Sequence, residues 1–133
     1  YTRLYGGPDE TPMDATVFDP PMGAFFVGYL DGVPATMGGW RFRTDVSAFG
    51  FSVVTEIKRM YVAERVRRTG LAREVLRHLE ATAREAGSPA MVLETGTEQP
   101  QAIALYLSSG YTPVEGFGHY KWSPKSRYYG KLL

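Results

Sequence analysis

The order of apolar and polar residues predicts strands in the first half of the chain. Two apolar runs of strand length, 24–30 and 33–42, stand on either side of Asp31-Gly32, a dipeptide that favours a two-residue hairpin turn. A third apolar run, 53–62, follows a polar stretch that contains glycine, and it predicts a strand antiparallel to the second. The first half of the chain therefore predicts a three-stranded antiparallel meander.

A long amphipathic helix is predicted over residues 70–86. Its apolar side chains recur every three or four residues, at Leu71, Val75, Leu76, Leu79 and Ala83. Gly87 supplies a left-handed residue at its C-terminus, and Pro89 prevents the helix from continuing. The short apolar run 91–95 follows, and a strand reached through a helical crossover is expected to lie parallel to the strand before the helix.

A second helix and a terminal pair of strands complete the predicted fold. Proline is favoured at the first position of a helix, so Gln99-Pro100 predicts a helix start, and Gly110 predicts its end. Residues 111–114 and 127–133 are predicted to form the last two strands. The order of elements predicts an α/β (α+β) fold with a mixed, mostly antiparallel central sheet.

Composition and charge argue against several classes of function. With 133 residues the chain predicts a single domain that can bury a sizeable core. A formal net charge of +1 argues against nucleic-acid binding through bulk electrostatics. The absence of cysteine excludes disulfides, thiolate metal sites and a cysteine nucleophile, and it is consistent with a cytoplasmic location. No apolar stretch approaches the ~20 residues of a membrane span, so no membrane partner is expected.

Residues 56–72 combine a strand, a basic loop and the start of the long helix. The loop carries Arg65, Arg67 and Arg68, and Gly70 opens the helix. The first N–H groups of a helix have no intrahelical acceptor and lie at the positive end of its dipole, so this junction is a candidate anion site. The alternative is a solvated basic loop that binds no ligand.

The spacing Arg67-x-x-Gly70-x-Ala72 resembles the pyrophosphate-binding signature of the GNAT superfamily, the acetyl-CoA-dependent N-acetyltransferases, which is usually Q/R-x-x-G-x-G/A. The preceding E-I-K-R-M-Y-V resembles the family's central strand, and Y-L-S-S-G-Y resembles the end of its next helix. The resemblance covers nearly the whole chain. It implies one GNAT domain over residues 1–133, with helices on both faces of the sheet, that uses acetyl-CoA as co-substrate and needs no metal.

The N-terminal part of the family's fold is expected to be missing. Residues 2–7, T-R-L-Y-G-G, resemble the tail of a helix that ends at two glycines. Members of the family begin with a strand and a helix before this point. The resemblance therefore implies an incomplete domain, in which the first strand and most of the first helix are absent.

The resemblance assigns acetyl-CoA to the loop and helix start and to the strand before them. Backbone N–H groups of the loop would wrap the pyrophosphate, and the end of the strand would pair with the pantetheine arm. The implied cofactor-binding residues are Met60, Tyr61, Val62, Arg67, Arg68, Thr69, Gly70, Leu71, Ala72, Gln99 and Ala102. Gln99 stands where many members carry an asparagine that contacts the pantetheine arm.

Two side chains match catalytic groups of the family. Glu56 matches the glutamate that acts as general base, and strand alternation would place it on the same face as Lys58, Met60 and Val62. Tyr106 matches the tyrosine that protonates the departing thiolate as general acid. The alternatives are a salt bridge between Glu56 and a neighbouring cation, and a core position for Tyr106.

Three further side chains are candidates for contact with the acceptor. Trp40 and Phe42 lie at the end of the second predicted strand, and His119 lies in a loop that contains glycine. A packing role for the two aromatic residues and a plain loop position for His119 are the alternatives.

The function implied by the resemblance is transfer of acetyl from acetyl-CoA to a primary amine of a small molecule. The amine would attack directly, without an acyl-enzyme. A protein or peptide N-acetyltransferase and a non-catalytic acyl-CoA sensor are the alternatives. Homodimerisation is common in the family and is a further expectation.

Overall fold

The computed structural model describes residues 2–3, 22–67, 69–97, 99–117 and 124–133, which form a mixed sheet with two helices. In chain order the elements are β1 (Thr2–Arg3), β2 (Gly23–Leu30), β3 (Val33–Arg43), β4 (Val54–Val62), α1 (Leu71–Glu85), β5 (Ala90–Gly96), α2 (Pro100–Ser108), β6 (Thr112–Pro113) and β7 (Ser126–Leu132). The strand order is β1-β2-β3-β4-β5-β7-β6. Among these strands β4 and β5 run parallel, and the other neighbours run antiparallel. The predicted fold class is confirmed.

The hairpin between β2 and β3 turns where the sequence predicts it. Asp31 and Gly32 both have positive φ, 53° and 78°, which is the backbone that a two-residue type I′ turn requires. Glycine adopts this conformation without steric cost, and aspartate tolerates it better than most residues. The turn pairs Leu30 with Val33, and the antiparallel meander continues from β3 into β4.

Both helices begin and end close to their predicted positions. Gly87 follows α1 with φ of 98°, and Gly110 follows α2 with φ of 95°, so a left-handed glycine ends each helix. Gln99 is the N-cap of α2, and Pro100 is its first residue. In the described part of the chain, no helix is long and apolar enough to cross a bilayer.

The N-terminal residues differ from the sequence prediction. Thr2 and Arg3 form β1, which pairs antiparallel with β2 opposite Val27 and Phe26. The prediction of a helix tail is therefore wrong at these two residues. A free edge of β2 would offer unpaired N–H and C=O groups, and the pairing satisfies them. The rest of the predicted tail falls within residues 4–21, which lie outside the described ranges.

Helices α1 and α2 pack into one buried cluster on the same face of the sheet. Leu79 of α1 lies over Gly38 of β3, where a Cβ atom would come within 3.1 Å of the leucine side chain, so glycine permits the close approach. Trp40 of β3 is buried, and its indole N–H donates to the Thr82 hydroxyl at 2.9 Å. Tyr106 of α2 belongs to the same cluster. A helix over the opposite face stays a prediction.

A β-bulge in β4 changes which of its side chains share a face. The register between β3 and β4 shifts next to Arg59, whose φ of 58° is uncommon for a residue other than glycine. Ile57 and Met60 consequently both contact the cluster under the helices, although strict alternation would place them on opposite faces. The prediction that Met60 shares the face of Glu56 is wrong for this reason.

Strands β4 and β5 separate after a short parallel contact. Among the described residues they pair only through Thr55 with Met91 and Glu56 with Val92, although both strands continue beyond these pairs. β5 keeps β7 as its antiparallel partner along its whole length. The edge of β4 that faces β5 is therefore unpaired beyond Glu56. This opening between the two strands is called the strand gap below.

Candidate active site

A cleft of about 530 Å³ lies on the helix side of the strand gap. The end of β4, the start of α1 and one side of α2 enclose it. The predicted cofactor residues that line it are Met60, Tyr61, Val62, Arg67, Gly70, Ala72, Gln99 and Ala102. Thr69 and Leu71 are adjacent in the chain but do not line the cleft, and Arg68 lies outside the described residues. The structure therefore brings most of the predicted cofactor residues together.

The start of α1 presents backbone N–H groups and one arginine at the end of this cleft. Gly70 is the N-cap, with φ of 87°, and a Cβ atom there would have no protein atom within 4 Å. Arg67 donates from Nε to the Val62 carbonyl at 3.2 Å, and its guanidinium lies 6.0 Å from the centre of the Tyr61 ring. Positive charge is thus held beside the unpaired N–H groups of the first helical turn.

Tyr106 lies at the inner end of the cleft. Its side chain is 8% exposed and packs edge-on against Tyr111, with the ring centres 5.8 Å apart. The hydroxyl lies 3.8 Å from the Sδ atom of Met60, which is a weak acceptor. Burial raises the pKa of Tyr106 to about 12, so the phenol keeps its proton at neutral pH. The hydroxyl is therefore a protonated donor with little competition for its hydrogen.

Arg73 lines the cleft and was missed in the sequence. It lies in the first turn of α1 and donates to Ser109 at 3.0 Å and to Ser108 at 2.9 Å, at the end of α2. These bonds hold the two helices together on either side of the cleft. Arg73 follows Gly70 by three residues and extends the positive charge of the basic loop into the helix. This charge pattern is the signal that could have identified it. Its serine partners are distant in sequence, so the link between helices could not have been predicted.

Glu56 lies on the opposite face of the sheet and is 2% exposed. Its Oε1 atom is 2.6 Å from Arg43 and 3.5 Å from Arg41, and its Oε2 atom is 3.3 Å from Lys58. Arg43 also forms a two-bond pair with Asp45, with both distances at 2.7 Å. The salt-bridge alternative for Glu56 therefore describes the contacts present, and its role as a base stays a prediction.

A second carboxylate, Glu94, lies on β5, the strand on the other side of the strand gap. Glu94 is the next residue after Val92 on the same face of β5, and it pairs in register with Tyr128 of β7. Its Oε2 atom accepts from the Ser126 hydroxyl at 2.6 Å. Burial, followed by the negative charge of Glu94, raises the pKa of Tyr128. Glu94 was missed, although a carboxylate within the apolar run 91–95 is the signal that singled out Glu56.

The candidate acceptor residues lie away from the cleft. Trp40 and Phe42 pack edge-on against each other in the core under the helices, with ring centres 5.7 Å apart. Packing was the alternative to an acceptor-binding role for both residues, and it describes their contacts. His119 falls outside the described residues.

Comparison with known proteins adds to this geometry. The sequence model of the Acetyltransferase (GNAT) family matches residues 1–111. The chain belongs to this family. The basic loop before α1, the unpaired edge of β4 and the cleft beside Tyr106 are thus parts of a GNAT domain.

Relatives of the GNAT chain support the same assignment. An "IAA acetyltransferase" from Azospirillum brasilense is 40% identical over 78 residues, which cover 59% of this chain and 51% of that protein. The chain thus spans about half the length of this curated relative. A crystal structure of a candidate acyl-CoA N-acyltransferase from Klebsiella pneumoniae is 30% identical, with a TM-score of 0.75, and the match covers 91% of this chain and 79% of that one.

One solved structure with the same fold contains a coenzyme. The PaiA N-acetyltransferase of Thermoplasma acidophilum was solved in complex with coenzyme A, and it matches with a TM-score of 0.66 over 84% of this chain and 62% of that one. Its sequence identity is 12%, so the comparison demonstrates a shared fold and no more.

Proposed function

We propose that this GNAT domain transfers the acetyl group of acetyl-CoA to the primary amine of a small molecule by direct attack. One observation carries the proposal. The unpaired edge of β4 opens into a cleft that starts at the positive N-terminus of α1 and ends at the Tyr106 hydroxyl. A long, thin ligand with a di-anion at one end and a reacting group at the other has the shape and charge for this cleft.

The charged end of the ligand belongs at the start of α1. The backbone N–H groups after Gly70 and the guanidinium of Arg67 offer donors to a pyrophosphate, and Ala72 keeps the first helical turn clear of side chains. Arg67 keeps most of its five N–H donors for a ligand, because Nε alone has a protein acceptor among the described residues.

The pantetheine arm belongs along the end of β4. Residues 57–62 lack a strand partner on the side of the gap, so their N–H and C=O groups on that side need partners from water or ligand. The two amides of pantetheine can supply these partners in the manner of an added strand. The thioester then lies near Met60 and Tyr106, where the strand gap connects the two faces of the sheet.

In the transfer step the amine nitrogen attacks the thioester carbonyl, and the carbon–sulfur bond breaks as the amide forms. The amine must lose a proton and the departing sulfur must gain one. Tyr106 keeps its proton at neutral pH and donates it to the thiolate. Glu56 accepts the amine proton through water in the strand gap, because an acceptor cannot touch a side chain that is 2% exposed.

The names of the relatives support this choice of reaction. The Azospirillum brasilense relative is named for acetyl transfer, and the Thermoplasma acidophilum structure holds coenzyme A in the same fold. A small-molecule acceptor is favoured over a protein acceptor by the first of these names. Neither name identifies the acceptor of this chain.

The first experiment measures cofactor binding by thermal unfolding. Acetyl-CoA or desulfo-CoA at about a hundred times its dissociation constant should add about 2.7 kcal/mol to the free energy of unfolding, and NAD should add nothing. Arg67→Gln should weaken acetyl-CoA binding about tenfold, and Arg84→Gln, at an exposed site on the far end of α1, should not. No shift at millimolar acetyl-CoA would contradict the proposal.

The second experiment measures thiol release with a panel of amines. Tyr106→Phe and Glu56→Gln should each slow transfer about a hundredfold or more, with acetyl-CoA binding retained. Binding is measured first for each variant, so that loss of folding is not mistaken for loss of chemistry. Unchanged turnover in Glu56→Gln would remove the proposed base, and unchanged turnover in Tyr106→Phe would remove the proposed acid.

A further inference from the structure

A second cavity, of about 190 Å³, lies between α1, the end of α2 and β7. A water molecule takes up about 30 Å³ in the liquid, so the cavity has room for about six waters, or for a small ion that keeps part of its hydration shell. Its polar lining consists of Arg73, Arg77, Glu80, Ser108, Ser109 and Lys131. Among these residues Arg73 also lines the larger cleft. The second cavity is called the arginine pocket below.

The arginine pocket carries more positive than negative charge. Three cations and one acid line it, so their net charge is +2. The acid, Glu80, is buried, and each of its oxygens already accepts a hydrogen bond. Oε1 accepts from Lys131 at 3.1 Å, and Oε2 accepts from the Tyr111 hydroxyl at 2.8 Å. Lys131 and Glu80 therefore compensate each other, and the charges of the two arginines remain.

Neither arginine pairs with an acid within the described residues. Arg73 donates one bond to Ser109 and one to Ser108, and both acceptors are neutral hydroxyls. Arg77 is exposed, and it forms no hydrogen bond or ion pair with a described residue. A guanidinium group has five N–H donors, so Arg73 keeps three of them and Arg77 keeps all five.

The end of α2 does not use these remaining donors. The carbonyl groups of residues 105–107 accept from the backbone N–H groups of residues 109–111, so most of the acceptors that a helix leaves open at its C-terminus are satisfied there. The Ser109 hydroxyl accepts from Arg73 and keeps its own hydrogen as a further donor. The pocket thus has many free donors and few free acceptors, which is the chemistry that suits an oxyanion.

We propose that the arginine pocket binds a phosphate group that is not part of acetyl-CoA. Arginine suits this ligand because its planar fork of N–H groups can bond to two phosphate oxygens at once. Arg73 and Arg77 are four residues apart on α1, so they lie on one face of the helix and can hold one phosphate between them. The ligand is inorganic phosphate or a small phosphate monoester, which share this chemistry.

The arginine pocket is separate from the proposed pyrophosphate site, since Arg67 and Gly70 line the cleft and not the pocket. Arg73 nevertheless links the two sites, in a consequence that rests on the proposed function. Phosphate and coenzyme draw on one positive charge, so each should lower the affinity for the other by the same factor, about fivefold. Equal phosphate affinity with and without saturating 3′-dephospho-CoA would remove this link.

The test follows the arginine side chains by NMR while phosphate is added to isotope-labelled protein. The Nε–H signals of Arg73 and Arg77 should shift and saturate in the low millimolar range, with the ionic strength held constant by sodium chloride. Methyl phosphate is titrated in the same way. Saturable binding of either probe supports the site, and their relative affinity separates a monoester from the free ion.

Two variants locate the bound phosphate. Arg77→Gln should weaken phosphate binding about tenfold, because one of the two forks is lost, and acetyl-CoA binding should be unchanged since Arg77 does not line the cleft. Arg84→Gln is the matched loss of an exposed arginine at the far end of α1, and it should leave phosphate binding unchanged. Equal phosphate affinities in the two variants would contradict the proposed position.

Three further results would overturn the phosphate site. The first is a shift that does not saturate, or that sodium chloride alone reproduces. The second is a shift confined to Arg67 and to the backbone after Gly70, which would place the phosphate in the coenzyme cleft. The third is loss of phosphate binding with CoA but not with 3′-dephospho-CoA, which would make the pocket a subsite of the coenzyme. Failure to bind acetyl-CoA would instead overturn the proposed function and leave the phosphate site in place.

Discussion

The two sides of the strand gap are built from different chemistry. The cleft on the helix side is formed by backbone groups, small residues and one aromatic hydroxyl, with Arg67 at its mouth. The opposite face is a set of interlocked charges centred on Glu56, which is buried among three cations. The helix side therefore offers a shaped cleft, and the opposite face offers a network of ion pairs.

Because of this difference, we expect substitutions on the two sides of the gap to affect stability unequally. On the helix side, Gly70 and the unpaired edge of β4 shape the cleft through their backbone conformation. Few buried side-chain hydrogen bonds depend on these residues. On the other side, Glu56 compensates cations that would otherwise be buried without a partner. Substitutions at Glu56 are therefore expected to unfold the protein more readily than substitutions in the cleft.

The largest effect on stability is expected for Glu56→Gln. Glutamine keeps the shape but removes the charge, and Arg43 is left largely buried with only Asp45 to compensate it. Removing one partner of a buried ion pair typically costs about 3 kcal/mol or more. Urea unfolding at pH 7, followed by circular dichroism, should show this loss in the free energy of unfolding.

Glu94→Gln is the matched control on the same face. Glu94 has no ion pair among the described residues and should lose less than about 1 kcal/mol, mainly from its bond to Ser126. Equal losses for the two variants would contradict the view that the charges around Glu56 are structural and that Glu94 has no part in them.

A smaller effect, visible at high pH, is expected for Tyr106→Phe. Burial raises the pKa of Tyr106 to about 12 in the folded protein, above the ordinary value near 10. The unfolded chain therefore loses this proton first as the pH rises. Tyr106 contributes full stability below pH 10, and about 2 kcal/mol of it is lost between pH 10 and pH 12.

Urea unfolding at pH 9 and pH 11.5 measures this contribution. The wild type should lose more stability between these two values than Tyr106→Phe does. Tyr61→Phe removes a half-exposed hydroxyl of the same cleft and serves as the matched control for loss of a phenol. If Tyr106→Phe loses as much stability between pH 9 and pH 11.5 as the wild type does, the Tyr106 hydroxyl is not buried as described. The description of the inner end of the cleft as closed is then wrong.

Much of the fold could be predicted because its signals are local. Asp31-Gly32 requires a hairpin, and Gly87 and Gly110 end their helices, whatever the rest of the chain does. The parallel placement of β5 followed from the helical crossover. The bulge at Arg59 could not be predicted in this way, because an arginine with positive φ carries no sequence signal.

The site could be predicted on one side and much less on the other. Arg67, Gly70 and Ala72 form a motif with fixed spacing, because the proposed anion site uses the backbone of a helix N-terminus. The opposite face depends on pairs that come from different strands. Glu94 and Tyr128 meet only because β5 and β7 pair in register, and no spacing in the sequence reveals that contact.

The smallest effect on stability is expected for Asp45→Asn, and this variant is the most sensitive test of the comparison. Asp45 and Glu56 bind the same guanidinium, but the Asp45 side chain is 67% exposed and that of Glu56 is 3% exposed. The hydrogen bonds from Arg43 lower the pKa of Asp45 to about 2, so its contribution is present above pH 4 and is lost as the pH falls towards 2.

Because water screens an exposed pair, Asp45→Asn should cost less than about 1 kcal/mol at pH 6, and the difference from wild type should shrink near pH 2. Urea unfolding at pH 6 and pH 2.5 measures both values. A loss at pH 6 as large as that of Glu56→Gln would mean that Arg43 depends on the exposed acid as much as on the buried one. The charges opposite the cleft would then form a surface network that an acceptor could rearrange.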